Sequence, residues 1–284
     1  MKTIVITGAT SGIGLAVARL LTEQGFLVLA LGRSRETCMR AQASILQTVP
    51  EGRIRFYAAD LLQQREVLQA ADWLLTDLEK NSGGQLHALI NNAGCARSWY
   101  MTTDEGYEQQ FALNYLAGFL LTHSLLSSLR KASGRVIMTG SQSHKGIKVH
   151  WDDVMLSGRY NPLTAYKQSK LCDILFAKGF NDRYAQWGMR AYTVDPGLVR
   201  TDIGNKTGGI VNFVWKFRKR HGVAPEIPAR TYGYLCGQIQ HPDGLYYYMC
   251  KEKPYSREVT SENAARLFAF SEQLCGVKYP EVFA

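Results

Sequence analysis

No C-x-x-C pair links any two of the six cysteines (Cys38, Cys95, Cys172, Cys236, Cys250 and Cys275), which lie far apart along the chain. A zinc ribbon or a disulfide frame is therefore not expected; free thiols in a reducing compartment are, so the cytoplasm is the expected location and metal ligands are not expected. No apolar run reaches about 18 residues, which excludes a conventional membrane span. The chain passes from one lysine straight into KTIVITG, a strand pattern, so a leader is not expected. Linkers, internal repeats and low-complexity segments are also missing, which favours one domain over all 284 residues. Acidic residues are in deficit: 24 Asp and Glu against 33 Lys and Arg leave a formal net charge of +9. The bases are spread out and accompany no nucleic-acid reader motif, so nucleic acid is not an expected partner. A solvated basic surface, or an anionic cofactor or substrate, accounts for the charge.

What is present is a core: 46% of the residues are hydrophobic and 20% charged, a globular balance. Short apolar runs at 2–7, 26–32, 53–60, 86–94, 134–141, 189–197 and 243–249 read as strands, the last of them closing the sheet. Segments with helical spacing separate many of them, at 12–25, 34–49, 63–80, about 103–131 and 163–187, with a last helix at 261–275. Strands alternating with helices predict an α/β fold: a doubly wound parallel sheet with helices on both faces, joined by right-handed crossovers. Ligands of such a sheet bind at the carboxyl ends of the strands. Those ends read Gly8, Gly32, Asp60, Asn91 to Gly94, Ser141, and Asp195 to Gly197.

Two motifs carry chemistry. TGATSGIG (7–14) joins the first strand to the first helix. Gly8 suits a tight turn, Gly12 lets backbone approach a pyrophosphate, and Gly14 allows close packing of helix on strand. The second is Tyr166-x-x-x-Lys170 in LTAYKQSKLC. With 15 tyrosines present, a match at this spacing arises by chance about 0.7 times. A second copy does occur, Tyr247 and Lys251 in GLYYYMCK. The two differ in setting. Tyr247 lies in a strand pattern, where four residues span about 13 Å. Tyr166 lies in a helical one, where residues four apart are stacked neighbours. Only the Tyr166 copy is expected to bring phenol and ammonium together.

TGATSGIG, NNAG at 91–94, Asn114, Ser141, Tyr166-x-x-x-Lys170 and Pro196-Gly197, in that order, resemble the short-chain dehydrogenase/reductase family over essentially the whole chain. FALNYLAGFLLTHSLL, VIMTGSQSHKG and AYKQSKLCDILFAK resemble its retinol-dehydrogenase-like branch, whose members act on retinoids, steroids and other carbonyls. The resemblance implies a single Rossmann-fold domain. It implies that Gly8, Thr10, Ser11, Gly12, Ile13 and Gly14 cradle the dinucleotide, with Asp60 and Leu61 beside the adenine and Asn91, Ala93 and Gly94 further along it. Pro196, Gly197, Val199 and Thr201 would meet the nicotinamide end, Thr201 at its carboxamide. Asn114 would hold a water in a proton relay, Ser141 would orient the substrate oxygen, and Lys170 would bind the nicotinamide ribose. The helices at about 103–131 and 163–187 would form a homodimer surface. Two departures stand out: TGS precedes the catalytic region where relatives more often carry paired serines, and the stretch from Ser141 to Tyr166 is longer than in the shortest members.

The family's NAD-specific members carry an acidic residue at the end of the second strand. Gly32 stands there here, followed by Arg33 and Ser34, and an arginine fork suits a 2′-phosphate. NADP(H) is therefore the expected cofactor, with NAD(H) as the alternative. Tyr166 would protonate the carbonyl oxygen as hydride is delivered, and Ser141 would steady the developing charge. Lowering a phenol from about 10 to about 7 takes roughly 4 kcal/mol, which one unit charge at about 4 Å supplies at an effective dielectric of about 20. Lys170 is thus expected to suffice, helped by the oxidised ring. Residues 198–228 are expected to form a substrate lid; Val211, Val214, Trp215 and Phe217 alternate there with Lys216, Arg218, Lys219 and Arg220, a pattern also open to peripheral membrane contact. Trp99, Tyr100, Trp151 and Tyr160 are candidate pocket residues for a hydrophobic carbonyl or alcohol. The alternatives are a non-catalytic dinucleotide sensor and a reductase of imines or enones.

Overall fold

The computed structural model of the protein describes residues 2–200 and 222–281. Strand alternation divides the core in two. In β1 (Thr3–Thr7), Ile4 and Ile6 join one apolar cluster and Val5 the other, as the two-residue period of a strand dictates. β1 pairs in parallel with β2 (Leu27–Gly32) and β4 (Ala88–Asn91). With β3 (Ile54–Ala58), β5 (Arg135–Thr139), β6 (Arg190–Val194) and β7 (Tyr246–Tyr248), the sheet runs β3-β2-β1-β4-β5-β6-β7, all parallel. The chain reverses direction on either side of β1 in this order, which opens a crevice at the carboxyl ends of β1 and β4.

Helices cover both faces. On the Ile4 side lie α1 (Gly12–Glu23), α2 (Arg35–Thr48) and α8 (Glu226–Gly237). On the Val5 side lie α3 (Gln64–Ser82), α5 (Ala117–Ser124), α7 (Pro162–Tyr184) and α9 (Ser261–Cys275). Short α4 (Gln109–Phe111) and α6 (Leu126–Lys131) flank α5.

Four features depart from the sequence reading. First, β7 does not end the sheet: Met249 and Cys250, both at positive φ, reverse the chain into β8 (Lys251–Glu252), which pairs antiparallel at the edge. Second, α8 lies where no helix was expected, although a parallel β6–β7 pair needs a crossover. Third, the expected helix from about 103 begins at Gln109. Gly106, at φ +86, closes a turn on Thr103, and the Glu108 carboxylate caps the helix by accepting from Phe111 N–H at 2.7 Å. That helix is then interrupted by a wide π turn, Ala112–Leu116, and by a break at Leu125. Fourth, part of the two helices assigned to a homodimer surface, at Phe119 and Phe176, is packed under the C-terminal helix. Phe268 of α9 stacks on Phe176 of α7 with ring centroids 5.4 Å apart, and Tyr279 lies 4.8 Å from Phe119 of α5.

The six cysteines are free thiols. Among the described residues no helix is long and apolar enough to cross a membrane. Most of the lid expected at 198–228, with Thr201 and the basic aromatic stretch, lies outside the described residues. Its two flanks are tied together: Val199 and Val223 form a parallel bridge, and Arg200 Nε donates to Gly222 O at 2.7 Å.

Candidate active site

The glycine loop is built by close approach. Gly8 sits at φ +66 and Gly12 at φ +54, the left-handed region that disfavours a side chain. A Cβ at Gly14 would lie 2.2 Å from Gly8 O, so α1 begins against the end of β1 with no room to spare. Asn92 holds the arrangement: its Nδ2 donates to Thr7 O at 3.1 Å and Gly8 O at 3.2 Å. Thr7 Oγ1 answers by accepting from the backbone N–H of Asn92 and Ala93, each at 2.9 Å. Ser11, exposed, stands at the N-cap of α1, and its hydroxyl makes no capping bond, while Thr10 and Ile13 flank the turn half-buried. The donors at the start of α1 therefore face the crevice, a ready anion site. The shape fits a dinucleotide pyrophosphate: only glycine leaves the space, and backbone N–H groups line it.

Asn91 and Asn92 point opposite ways, as neighbours in a strand must. The buried Asn91 amide turns into the core beside α5, donating to Thr122 Oγ1 at 3.2 Å. Of the two asparagines, Asn92 is the one whose side chain grips the loop, while Asn91 borders the crevice through its backbone. Leu61, Ala93 and Asn91 line a small void beneath. Asp60 is occupied locally, its Oδ1 accepting from Leu62 N–H at 3.1 Å. Gly94 packs on Asn114, where a Cβ would lie 3.0 Å from Oδ1. The Asn114 amide is fully engaged, accepting from Cys95 N–H at 2.7 Å and donating to Cys95 O at 3.1 Å and Ser169 Oγ at 2.9 Å. Its side chain fixes the loop after β4 and ties it to α7.

Asn161 starts the tyrosine helix by accepting from Leu163 and Thr164 N–H, with Pro162 in the first turn. From there Tyr166 and Lys170 share one side of α7. Lys170 Nζ lies 5.9 Å from the centre of the Tyr166 ring. Tyr166 is hydrogen bonded to Ser141, which stands just beyond β5. Ser143, not foreseen, donates to Ser141 Oγ at 2.9 Å. Below, the buried His144 holds the Ser141 carbonyl at 2.6 Å. The structure thus brings Ser141, Tyr166, Lys170 and Asn114 together around one crevice.

Lys170 is one of several groups that act on the Tyr166 phenol. Burial pushes the phenol above its ordinary value; Lys170 pulls it down, Asp173 and Asp195 push it up again, and the Ser141 bond favours the ionised form. The lysine's charge is already shared, because Nζ donates to Asp173 Oδ2 at 3.0 Å and to Thr139 O at 2.7 Å. Asp195 is itself held by Gly197 N–H and the Tyr246 hydroxyl, both at 2.8 Å.

At the other end of the crevice, a Cβ at Gly32 would lie 2.3 Å from Thr10 Cγ2 and 2.7 Å from Cys38 Sγ. No acid can stand there without moving both. Arg33 and Ser34 are exposed beside it, Ser34 capping α2 by accepting from Thr37 N–H.

The short chain dehydrogenase family profile matches residues 2–209. The chain belongs to that family. Among curated relatives, this short-chain dehydrogenase is 31% identical to human retinol dehydrogenase 13, over 99% of this chain and 86% of that one. It is 31% identical to human retinol dehydrogenase 14, with 97% and 87% covered. Human polyprenol dehydrogenase is 32% identical over 71% of this chain and 62% of its own length. The fold of an uncharacterized protein from Mycobacterium paratuberculosis superposes with a TM-score of 0.78 at 27% identity, covering 99% and 95%. A Sphingobium yanoikuyae short-chain dehydrogenase in complex with NADPH superposes with a TM-score of 0.67 at 19% identity, covering 100% and 98%. The protein is an oxidoreductase of the short-chain dehydrogenase type, acting on CH–OH groups. Next to its crevice lies a cavity of about 460 Å³ bounded by Gln142, Lys145, Gly197, Leu198, Tyr248 and Lys253. Of the candidate pocket residues, Tyr100 and Tyr160 pack edge to face, 5.4 Å apart, and Trp99 is exposed beside them. Trp151 instead carries Arg266 over its ring and packs against the core.

Proposed function

We propose that the enzyme acts on a hydrophobic alcohol or carbonyl with NADP(H), and that Tyr166 moves the proton. The observation that carries this reading is the joined set of Ser141, Tyr166 and Lys170 at the end of β5. A dinucleotide held by the glycine loop would supply or accept the hydride. Ser141 and the Tyr166 hydroxyl converge on the place of the substrate oxygen; in reduction Tyr166 gives it a proton, and in oxidation takes one back. Ser141, kept oriented by Ser143 and His144, donates to the oxygen as charge builds on it. Pro196, Gly197 and Val199 close the far side of the crevice. The relatives named as retinol and polyprenol dehydrogenases, with the exposed side chains of Trp99, Tyr100 and Leu198, support a large apolar substrate.

The crowded Gly32 and the exposed Arg33 support the phosphorylated cofactor, since a guanidinium can grip a 2′-phosphate where no carboxylate opposes it. Rates with NADPH and NADH on a panel of apolar aldehydes and ketones test the proposal. NADPH is expected to win by about tenfold or more in kcat/KM, the size of one charge-assisted contact of about 1.5 kcal/mol, and Arg33→Ala should remove most of that margin. Equal or better use of NADH overturns the cofactor assignment; tight dinucleotide binding with no turnover of any alcohol or carbonyl overturns the substrate class.

A further inference from the structure

The one buried carboxylate on the tyrosine helix is not used by the mechanism described above. Asp173 is fully buried, one turn beyond Lys170, and its Oδ2 accepts from Lys170 Nζ at 3.0 Å. An ammonium has three protons. Asp173 takes one and Thr139 O another, which fixes the direction of the third. Asp173 Oδ1 has no hydrogen-bond partner, so among its own contacts the lysine alone answers the charge.

We propose that Asp173 is a positioning residue of the reaction: it orients the Lys170 ammonium and divides its charge, so that three groups on one helix, not two, govern how readily Tyr166 gives up its proton. This rests on the reading of Tyr166 as the acid and base. The groups facing the carboxylate are few. Tyr166, Lys170 and Cys172 lie on α7 itself; Tyr115 faces it from the π turn and Tyr232 from α8. Asp195, at the end of β6, acts with it on Tyr166, and Cys95 lies near Lys170. Among these only Lys170 is cationic, so every unit of negative charge on Asp173 is felt by the phenol as an opposing charge. Burial pushes the Asp173 carboxyl above the usual carboxylate range, with Lys170 drawing it down.

The sign follows. Oxidation needs the phenolate, so its rate climbs as pH rises through the Tyr166 transition. Asp173→Asn keeps the shape and an acceptor for Lys170 but removes the anion, and should move that acid limb to lower pH by about one unit. One pH unit is about tenfold in rate on the limb. The ultraviolet band of the phenolate, titrated without cofactor in Asp173→Asn and in Asp173→Asn with Tyr166→Phe, should show the same displacement by difference. Asp173→Ser serves as a second uncharged variant. A limb and a titration that superimpose on the native ones, or that move to higher pH, overturn the proposal; so does failure of both variants to fold, which would make Asp173 a scaffold residue. Tyr166→Phe separates the two claims: if it keeps its turnover, the underlying reading is wrong, whereas a dead Tyr166→Phe beside an unmoved Asp173→Asn profile sinks this inference alone.

Discussion

The chain writes Tyr-x-x-x-Lys twice, and the two copies came to opposite ends. At 166 and 170 the spacing lies on α7, and phenol ring and ammonium face one crevice. At 247 and 251 the tyrosine lies in β7, buried between Tyr192 and Tyr234, and its hydroxyl donates to the Asp243 carbonyl. The reason expected for the second copy's silence was the length of a strand. The structure gives another: Met249 and Cys250 turn the chain, so Lys251 returns exposed on the edge strand. Equal spacing means nothing until the backbone period is known.

The widest gap between the copies should appear in turnover. Tyr166→Phe is expected to lower kcat by about 10²- to 10⁴-fold, the usual worth of a positioned acid and base, while dinucleotide affinity, read by titration calorimetry, stays within a few-fold. Retention of most of the rate would erase the contrast. A smaller effect should come from the start of the helix. Asn161→Ala removes the acceptor for two N–H groups and should cost about 1 kcal/mol, seen as a lower denaturant midpoint; an unchanged midpoint would mean the cap does not hold the first copy in place. The smallest should come from the silent copy. Tyr247→Phe gives up one hydrogen bond, about 0.5–1.5 kcal/mol of stability, with kcat unchanged in the same rate assay; a large drop in kcat would show that the second copy is not silent.

Much of this was legible in the residues. The order of strands, the glycine loop and the tyrosine helix follow from local periodicity and from a backbone that only glycine tolerates. What escaped was set by partners distant in sequence, or by signals passed over. The role of Asn92 in bracing the glycine loop was not readable, because its partners Thr7 and Gly8 lie some 85 residues away in sequence. Asp173 was within reach, since a residue three after Lys170 on a helix lies beside it, but burial of both could not be known before the helix was seen sealed on all sides. The π turn around Asn114 and the two-residue β8 leave no periodic trace. α8 is required by topology, though its residues carry Gly and Pro that obscure the pattern.

The C-terminal helix has a consequence of its own. α9 and Tyr279 lay an aromatic layer over Phe119, Phe176 and Phe180, which would otherwise be a wide oily face on α5 and α7. Cut before Ser261, the protein would turn the rings of Phe119 and Phe176 toward water and is expected to aggregate.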